Sequence, residues 1–394
     1  MITEANLKTE INKKLAIITC CIDDWGGSEE LWARSIPHLN LQAKNITLFK
    51  DKINHNHPEI LALNALGLKY KELATSSSIL KRVYNKVKQR IKKFPKDSYH
   101  YNPLAQHFFK NLQNSKPDLV VIAQGINFDG LIYAQQCLLL NIPYVIIVQK
   151  AVDFYWPYPT DRVYMRNVLL EAKQIVFVSH HNQNLTEEQF GVRLPNSVVL
   201  YNPNKTVIKP IPYPSVEKGI KLACVARLFI IDKGQDILLR ILSSQKWRSR
   251  PVTVSFIGTG HDDEGLKELA NLLKLENVKF KGFESNIEKL WEQYHALLLP
   301  SRSEGLPLSM IEAMSLGRTV IVSKAGGNNE IINDGINGFI GNATEEDFDK
   351  AMERAWLMKD KWESIGISAS EYIKDHFPKN AEKDFADCIN NLLK

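Results

Sequence analysis

Short runs of consecutive apolar residues recur through the first half of the chain, and segments of helical periodicity separate them. The runs are rich in Ile, Val and Leu, as strands buried on both faces of a parallel sheet are. The predicted strands are 15–20, 46–49, 118–123, 144–148 and 174–178. Helices are predicted at 29–39 and around 131–140. Strands that alternate with helices in this way indicate a parallel sheet covered on both sides.

The second half repeats this pattern after a proline-rich segment at 201–214, YNPNKTVIKPIPYP, which holds four prolines. Proline continues neither a helix nor the interior of a sheet, so this segment is predicted to be a linker. Strands are predicted at 222–225, 254–257, 278–281, 296–300 and 319–322, and helices at 234–242, 265–275 and 308–315. The predicted fold class is α/β, with two Rossmann-like doubly wound domains, 1–208 and 209–377.

Length and composition agree with this division, because 394 residues are too many for one ordinary core. The longest apolar runs fall far short of the ~20 residues of a membrane-spanning helix, and the first residues, MITEANLK, contain no apolar signal core. Five cysteines, an odd number, suggest reduced thiols in a cytoplasmic protein. The cysteines and histidines do not follow zinc-site spacing, so no metal is expected.

The net charge of +6 is unevenly distributed. The segment Lys69–Lys96 holds ten Lys and Arg residues and one acidic residue, Glu72, and its apolar residues recur at helical spacing. It is predicted to be a basic amphipathic helix. Two interpretations stay open: a core-packed helix with a solvated basic face, or contact with an anionic membrane surface or acceptor. Nucleic acid is not expected, because the segment carries no nucleic-acid-binding motif.

The most informative segment is 301–322, SRSEGLPLSMIEAMSLGRTVIV. Glu304 is predicted in a loop that follows a strand, and Glu312 in the helix that follows the loop. Backbone N–H groups at the start of a helix favour anions, whereas carboxylates accept hydrogen bonds from neutral hydroxyls. The segment therefore suits a ligand that is a phosphate at one point and a polyol at another.

This segment resembles the E-x7-E signature of retaining nucleotide-sugar glycosyltransferases of the GT-B fold, glycosyltransferase family 4. Three other segments are similar to family segments in the same order: 24–32 (DWGGSEELW), 222–236 (LACVARLFIIDKGQD) and 324–339 (KAGGNNEIINDGINGF). The resemblance implies two facing domains with an interdomain cleft, and a last helix, 378–394, that returns to the N-terminal domain. It also implies a nucleotide-sugar donor, a carbohydrate or lipid-linked hydroxyl acceptor, and no cofactor.

The resemblance also implies roles for particular side chains. Arg227 and Lys233 would hold the donor diphosphate and stabilise the negative charge that develops on it as the glycosidic bond breaks. Glu304 would contact hydroxyls of the donor sugar, and Glu312 those of the ribose. The other donor-binding candidates are loop and backbone positions: Gly26, Gly27, Gly258, Phe283, Gly305, Leu306 and Pro307. Of these, Gly258 also fits a tight turn near the cleft.

The N-terminal domain departs from the family after the strand 144–148. Many members carry a histidine there, whereas this chain has Gln149, Lys150 and, three residues later, Asp153. No catalytic histidine is therefore carried over, and these three side chains are candidates for contact with sugar or acceptor, or simply parts of a polar loop. The next residues, FYWPY at 154–158, include Trp156. Aromatic faces suit stacking on a sugar ring or lipid carrier, and equally packing over the core.

Two other functions remain open from the sequence. A non-catalytic scaffold that binds a nucleotide sugar would keep the C-terminal motifs and lose the N-terminal ones. Another nucleotide-sugar enzyme of similar architecture, such as an epimerase, is disfavoured by E-x7-E together with Arg227 and Lys233.

Overall fold

The computed structural model describes residues 12–74, 102–217 and 219–394. Its first sheet has seven parallel strands in the order β3-β2-β1-β4-β5-β6-β7. The strands are β1 (Leu15–Thr19), β2 (Ile46–Lys50), β3 (Lys69–Glu72), β4 (Leu119–Gln124), β5 (Tyr144–Val148), β6 (Gln174–Phe177) and β7 (Ser197–Val199). The strand order reverses between β1 and β4, and ligands of doubly wound sheets bind at the carboxyl ends of strands beside such a reversal.

The described helices around this sheet connect successive strands. They are α1 (Glu30–Ser35), α2 (Pro58–Ala65), α3 (Pro103–Ser115), α4 (Leu131–Leu139), α5 (Pro159–Glu171) and α6 (His180–Phe190). The side chains of successive residues in a strand point to opposite faces of the sheet. Leu15 and Ile17 of β1 pack in one apolar cluster, and Ala16 and Ile18 pack in the other. Both faces of the sheet are therefore buried, as the apolar runs predict.

The second sheet has six parallel strands in the order β10-β9-β8-β11-β12-β13. The strands are β8 (Ile220–Val225), β9 (Val252–Ile257), β10 (Val278–Gly282), β11 (Ala296–Leu299), β12 (Thr319–Ser323) and β13 (Phe339–Gly341). Here the order reverses between β8 and β11. The helices are α7 (Ile230–Lys233), α8 (Gln235–Leu242), α9 (Gln245–Arg248), α10 (Asp263–Leu272), α11 (Ile287–Trp291), α12 (Leu308–Ser315), α13 (Asn328–Ile331), α14 (Glu345–Leu357) and α15 (Trp362–His376).

The contact pattern divides the chain into two compact units. The first comprises Met1–Val178, Asn182–Pro203 and Asn380–Lys394, and the second comprises Ser179–His181 and Asn204–Lys379. The last helix, α16 (Ala381–Leu392), belongs to the first unit, where Phe385 and Ile389 pack in the same apolar cluster as Leu15. The predicted fold class of two doubly wound α/β domains is confirmed.

The basic helix predicted over Lys69–Lys96 is wrong at its start. Lys69–Glu72 is the edge strand β3, which pairs with β2 in parallel register. Three of its four residues are exposed, so it lacks the apolar run by which most of the strands were predicted. The remainder of the predicted helix, from residue 75 onward, lies outside the described residues.

The helix predicted at 29–39 is shorter than its apolar pattern suggests. α1 is flanked by 3-10 turns at Gly27–Glu29 and Ile36–His38. Pro37 lies in the second turn and has no N–H to donate, which breaks the α-helical hydrogen-bond ladder there. Gly234, predicted to begin a helix, instead separates α7 from α8 with a left-handed φ of 61°.

Within the described part of the chain, none of the helices combines the length and the apolar character needed to cross a bilayer. All five cysteines are unpaired, and Cys137 and Cys224 are buried.

Candidate functional site

The residues predicted to hold the donor diphosphate and sugar meet beside the strand reversal of the second sheet. Arg227 follows β8 by two residues, and Lys233 ends the short helix α7. Glu304 lies in the loop after β11, the strand that pairs with β8. Because carboxyl ends of neighbouring parallel strands lie at one edge of a sheet, residues about 70 positions apart come together.

Lys233 and Glu304 form the tightest polar contact of this cluster. Lys233 Nζ lies 2.7 Å from Glu304 Oε1 and 2.8 Å from Oε2, so the ammonium group bridges both carboxylate oxygens. The two side chains are only 19% and 5% exposed. Burying a carboxylate is unfavourable in free energy unless the group is ion-paired and hydrogen-bonded. Lys233 provides both the ion pair and the hydrogen bonds.

Gly234 determines where Lys233 lies. Its φ of 61° is left-handed, and a Cβ there would overlap the carbonyl oxygen of Pro300, at the end of β11. A side chain at this position is therefore excluded by both the backbone conformation and the close approach of the two chain segments. The close approach brings the end of α7 against the loop that carries Glu304.

Arg227 is held by a buried carboxylate that the sequence analysis did not single out. Its Nη2 lies 3.4 Å from Oδ2 of Asp232, while Ser303 donates its hydroxyl to Oδ1 at 2.8 Å. The main-chain oxygen of Asp232 accepts the N–H groups of Arg302 and Ser303. Asp232 thus joins the loop after β8 to the loop after β11. The Arg227 side chain keeps 40% of its surface exposed, with its guanidinium over the ring of Phe229.

A second carboxylate, on α8, supports the loop after β11. Asp236 accepts two parallel hydrogen bonds from Arg302, at 2.7 and 2.9 Å, and one from Arg240 at 2.8 Å. Burial acts to raise the pKa of Asp236, but the hydrogen bonds and charges of the two arginines outweigh it and hold the pKa below its usual value. A fork-to-fork arginine–carboxylate pair is geometrically specific, so it fixes the loop after β11 against α8.

Glu312 projects from the second turn of α12 and is largely buried. Gly305, Leu306 and Pro307, the candidates that precede α12, are buried as well. The glycine-rich segment after β12 packs on them. Gly327 N–H donates to the Gly305 oxygen at 2.7 Å.

Two further donor candidates flank the cluster. Gly258, with a φ of 141°, comes so close to the main-chain oxygen of Ala226 that a Cβ would overlap it. Because Gly258 has no side chain, the end of β9 can lie against the loop that carries Arg227. This agrees with the tight turn predicted at Gly258. Phe283 follows β10 and is 77% exposed. Contact of either residue with a donor stays a prediction.

The remaining candidates belong to the first unit, where Gly26 and Gly27 follow β1. Gly26 has extended backbone, and Gly27 begins a 3-10 turn. The buried side chain of Lys50, at the end of β2, donates to the main-chain oxygens of Cys21 and Asp23, both at 2.8 Å. This cation holds the start of the glycine loop in place.

Two carboxyl groups near the strand reversal of the first sheet were also not singled out from the sequence. Glu29 is buried and accepts hydrogen bonds from Thr19 Oγ1 at 2.5 Å and Trp32 Nε1 at 2.9 Å. Burial raises the pKa of Glu29. Asp129 accepts the backbone N–H groups of residues 125–126, and burial raises its pKa to about 7.

Gln149 is buried, and its side-chain amide already has partners. It exchanges two hydrogen bonds with the amide of Asn202, at 3.2 and 2.8 Å, and donates to the Ser28 oxygen at 3.2 Å. It therefore joins the end of β5 to the glycine loop. Lys150 is half-buried, whereas Asp153 and Trp156 lie exposed in the following loop. Contact of these residues with sugar or acceptor stays a prediction.

Within 12–74, 102–217 and 219–394, the structure contains no group of three His, Cys, Asp or Glu side chains that could hold a metal ion. The missed residues Asp232, Asp236, Arg302 and Ser303 all lie inside segments that the resemblance had marked. Their sequence signal was adjacency: Asp232 precedes Lys233, and Arg302 and Ser303 precede Glu304.

Comparison with known proteins agrees with this geometry. Residues 209–374 match the family model of glycosyl transferases group 1. An uncharacterized glycosyltransferase of Haemophilus influenzae is 29% identical over 169 residues, 42% of this chain and 46% of that protein. The GDP-mannose-dependent alpha-(1-6)-phosphatidylinositol monomannoside mannosyltransferase of Mycolicibacterium smegmatis is 26% identical over 213 residues, 48% of this chain and 54% of that protein. The chain spans about half the length of the curated relatives it matches.

Solved structures resemble the chain over nearly its whole length. Anabaena HepE in complex with UDP and glucose has a TM-score of 0.71 at 18% identity, covering 96% of this chain and 99% of that one. Staphylococcus aureus TarM has a TM-score of 0.70 at 14% identity, covering 98% and 99%. Fold and site thus define a protein of two doubly wound domains with a cation–carboxylate cluster at a strand reversal. The family model and the neighbouring structures support a glycosyltransferase of the GT-B fold.

Proposed function

We propose that the protein is a retaining glycosyltransferase of family 4, in which Glu304 and Glu312 form the E-x7-E motif. It transfers a hexose from a nucleotide-sugar donor to a hydroxyl of a carbohydrate or lipid-linked acceptor, in the assembly of a glycan, polysaccharide or glycolipid. The observation that carries the proposal is the Lys233–Glu304 pair beside the β8–β11 reversal, with Arg227 anchored on Asp232, the residue before Lys233. This cluster lies in the part of the chain that matches the family model.

The charges of the cluster suit a diphosphate leaving group. Lys233 pairs with Glu304 and is 19% exposed, so its ammonium can also attract a phosphate oxygen. The Arg227 side chain is 40% exposed, and a guanidinium can fork onto phosphate. These cations are held in place by carboxylates before the reaction begins. Preorganised charges stabilise the transition state in which negative charge grows on the leaving group.

The proposed transfer proceeds on one face of the sugar. The bond between the anomeric carbon and the β-phosphate oxygen breaks as the acceptor oxygen bonds to the same carbon. The acceptor proton passes to an oxygen of the departing diphosphate, which acts as the base. Glu304 would orient sugar hydroxyls, and Glu312 those of the ribose. The proposal includes no metal ion, because Arg227 and Lys233 supply positive charge where a metal would.

The donor base and sugar are the first properties to measure. HepE was crystallised with UDP and glucose, whereas the mycobacterial relative is named for GDP-mannose. The experiment is a thermal-shift screen of UDP-, GDP-, ADP- and dTDP-linked sugars. A ligand that binds the folded state raises the melting temperature by mass action. The expected donor stabilises the wild type, and stabilises neither Lys233→Ala nor Glu312→Ala.

A matched control for these variants is Lys267→Ala. Lys267 forms an exposed pair with Asp263 in α10, and should keep the full donor-dependent shift. No shift with any donor would contradict the proposed pocket. A donor that stabilises the protein without release of nucleoside diphosphate, with or without a hydroxyl acceptor, would instead indicate a nucleotide-sugar-binding scaffold. Unchanged turnover in EDTA is expected, and its loss would contradict the metal-free reaction.

We also propose that the basic segment 69–96 contacts an anionic membrane surface. The support is its charge, ten basic residues against one acidic residue. The protein should sediment with phosphatidylglycerol vesicles at low salt and stay in the supernatant at high salt. The reason is that salt screening shortens the range of the electrostatic attraction. Absence of sedimentation at low salt would contradict this contact.

A further inference from the structure

The loop after β5 presents four aromatic side chains to solvent. Phe154, Tyr155, Trp156 and Tyr158 are 65%, 45%, 54% and 62% exposed. An apolar surface of this kind on a soluble domain usually marks a binding site. Of the two interpretations from the sequence, packing over the core holds for Tyr155, which stacks on the buried Phe128, whereas Phe154, Trp156 and Tyr158 keep more than half of their surface exposed.

Buried amides hold the backbone of this loop. Gln189 of α6 is fully buried and donates to the main-chain oxygens of Val152 and Tyr155, at 2.9 and 3.0 Å. Asn127, also buried, donates to the Tyr155 oxygen at 3.3 Å. Burying an amide is unfavourable unless it is hydrogen-bonded, so these side chains strongly favour one loop conformation.

Two of the rings are also oriented individually. The Tyr155 ring stacks on Phe128, with centroids 5.5 Å apart and an interplanar angle of 27°. The Trp156 indole donates its Nε1–H to the Asp153 oxygen at 3.0 Å. The rings therefore stand on a preordered backbone, which lowers the entropy lost when a ligand binds.

We propose that this loop is a stacking platform for a neutral saccharide, the sugar chain of the acceptor. This inference extends the proposed function and rests on it for the identification of the saccharide as the acceptor. The loop follows β5 at the carboxyl edge of the first sheet, the edge at which the glycine loop also follows β1. Ligands of parallel sheets bind at this edge. The C–H faces of pyranose rings pack on aromatic faces, and their hydroxyls remain available to polar neighbours.

The charges around the loop favour a neutral ligand over a lipid surface. From residue 150 to the first turn of α5, the charged side chains are Lys150, Asp153, Asp161 and Arg162. Two acids and two bases cancel. Binding to an anionic membrane would require an excess of cations beside the aromatic rings.

Direct binding without donor tests the platform separately from the proposed reaction. The probes are neutral hexasaccharides of glucose, mannose, galactose and N-acetylglucosamine, titrated by calorimetry. At least one should bind the wild type. Phe154→Ala, Trp156→Ala and Tyr158→Ala should each weaken binding about two- to tenfold, and Trp156→Phe should retain most of it. Leu139→Ala, an equally exposed apolar residue at the end of α4, is the control and should leave binding unchanged.

Three results would overturn the platform: no hexasaccharide binds, binding survives the triple alanine variant, or that variant loses vesicle sedimentation instead of saccharide binding. Nucleotide titration of the triple variant separates the two proposals. Because none of its substitutions is at a donor-binding candidate, it should bind the screened nucleotide sugar as the wild type does. A different result would be that no nucleotide sugar binds either protein, whereas hexasaccharide binding is weakened by the aromatic substitutions. That result would contradict the proposed donor site and support the platform.

Discussion

Replacing Lys233 with methionine tests whether the Lys233–Glu304 contact exists in solution and what it contributes. Two unit charges about 2.8 Å apart attract by about 6 kcal/mol at an effective dielectric constant of 20. Desolvation of both groups offsets most of this attraction, so the pair itself adds little stability. Removing only the lysine leaves a buried carboxylate without its cation. Such a change costs about 3 kcal/mol, the low end of the usual range, because Lys233 is partly exposed.

The measurement is a double-mutant cycle of wild type, Lys233→Met, Glu304→Gln and the double variant, followed by calorimetry without ligand. For a unit of this size, about 3 kcal/mol lowers the melting temperature by about 6–12 °C. The double variant removes both charges together, so it should be more stable than the sum of the single changes predicts, by about 2 kcal/mol. Nucleotide binding should nevertheless be lost in the double variant, since the phosphate has lost its cation.

Additive effects within about 0.5 kcal/mol would refute the ion pair. Full nucleotide affinity in the double variant would refute the phosphate-binding role of Lys233 while leaving the stability argument intact. The control cycle uses Lys267 and Asp263, an exposed pair one helical turn apart at 2.9 Å. Its coupling should stay below about 0.5 kcal/mol.

Three further predictions concern the loops around this pair. Asp232→Asn should weaken nucleotide binding about tenfold in a titration, because Arg227 loses a charged anchor, whereas unaltered affinity would mean that the guanidinium needs no anchor. Gly234→Ala should lower the melting temperature sharply, because its Cβ would overlap a neighbouring segment and its φ is left-handed. The control is Gly265→Ala, within α10 and with open space around it, which should leave the melting temperature unchanged or raise it. Equal effects of the two variants would contradict the close approach at Gly234. Because the folded pKa of Asp236 is lowered, its stabilisation is present above the unfolded value of about 3.9 and is lost as pH falls through the folded value. The melting-temperature difference between wild type and Asp236→Asn should therefore shrink on acidification below about pH 4, and a constant difference would argue against the lowered pKa.

Local pattern was sufficient for several buried elements with a clear apolar run. β5 and α12 begin and end at the predicted residues, 144–148 and 308–315, because continuous apolar runs and a proline or glycine boundary identify them. Pattern failed at both edges of the first sheet. β3 is polar and β7 is only half-buried, so each is a strand because a neighbouring strand offers it hydrogen bonds.

The sequence by itself determined the fold class and named Arg227, Lys233 and Glu304 as a group through motif resemblance. Only the tertiary structure decided their pairing. It joined Lys233 to Glu304, and it placed Asp232 between the two loops. The physical reason is that helical and strand periodicity report which face of an element is buried, whereas an ion pair between residues 71 positions apart depends on strand order. The β8–β11 adjacency is a property of the assembled sheet, and no local segment carries it.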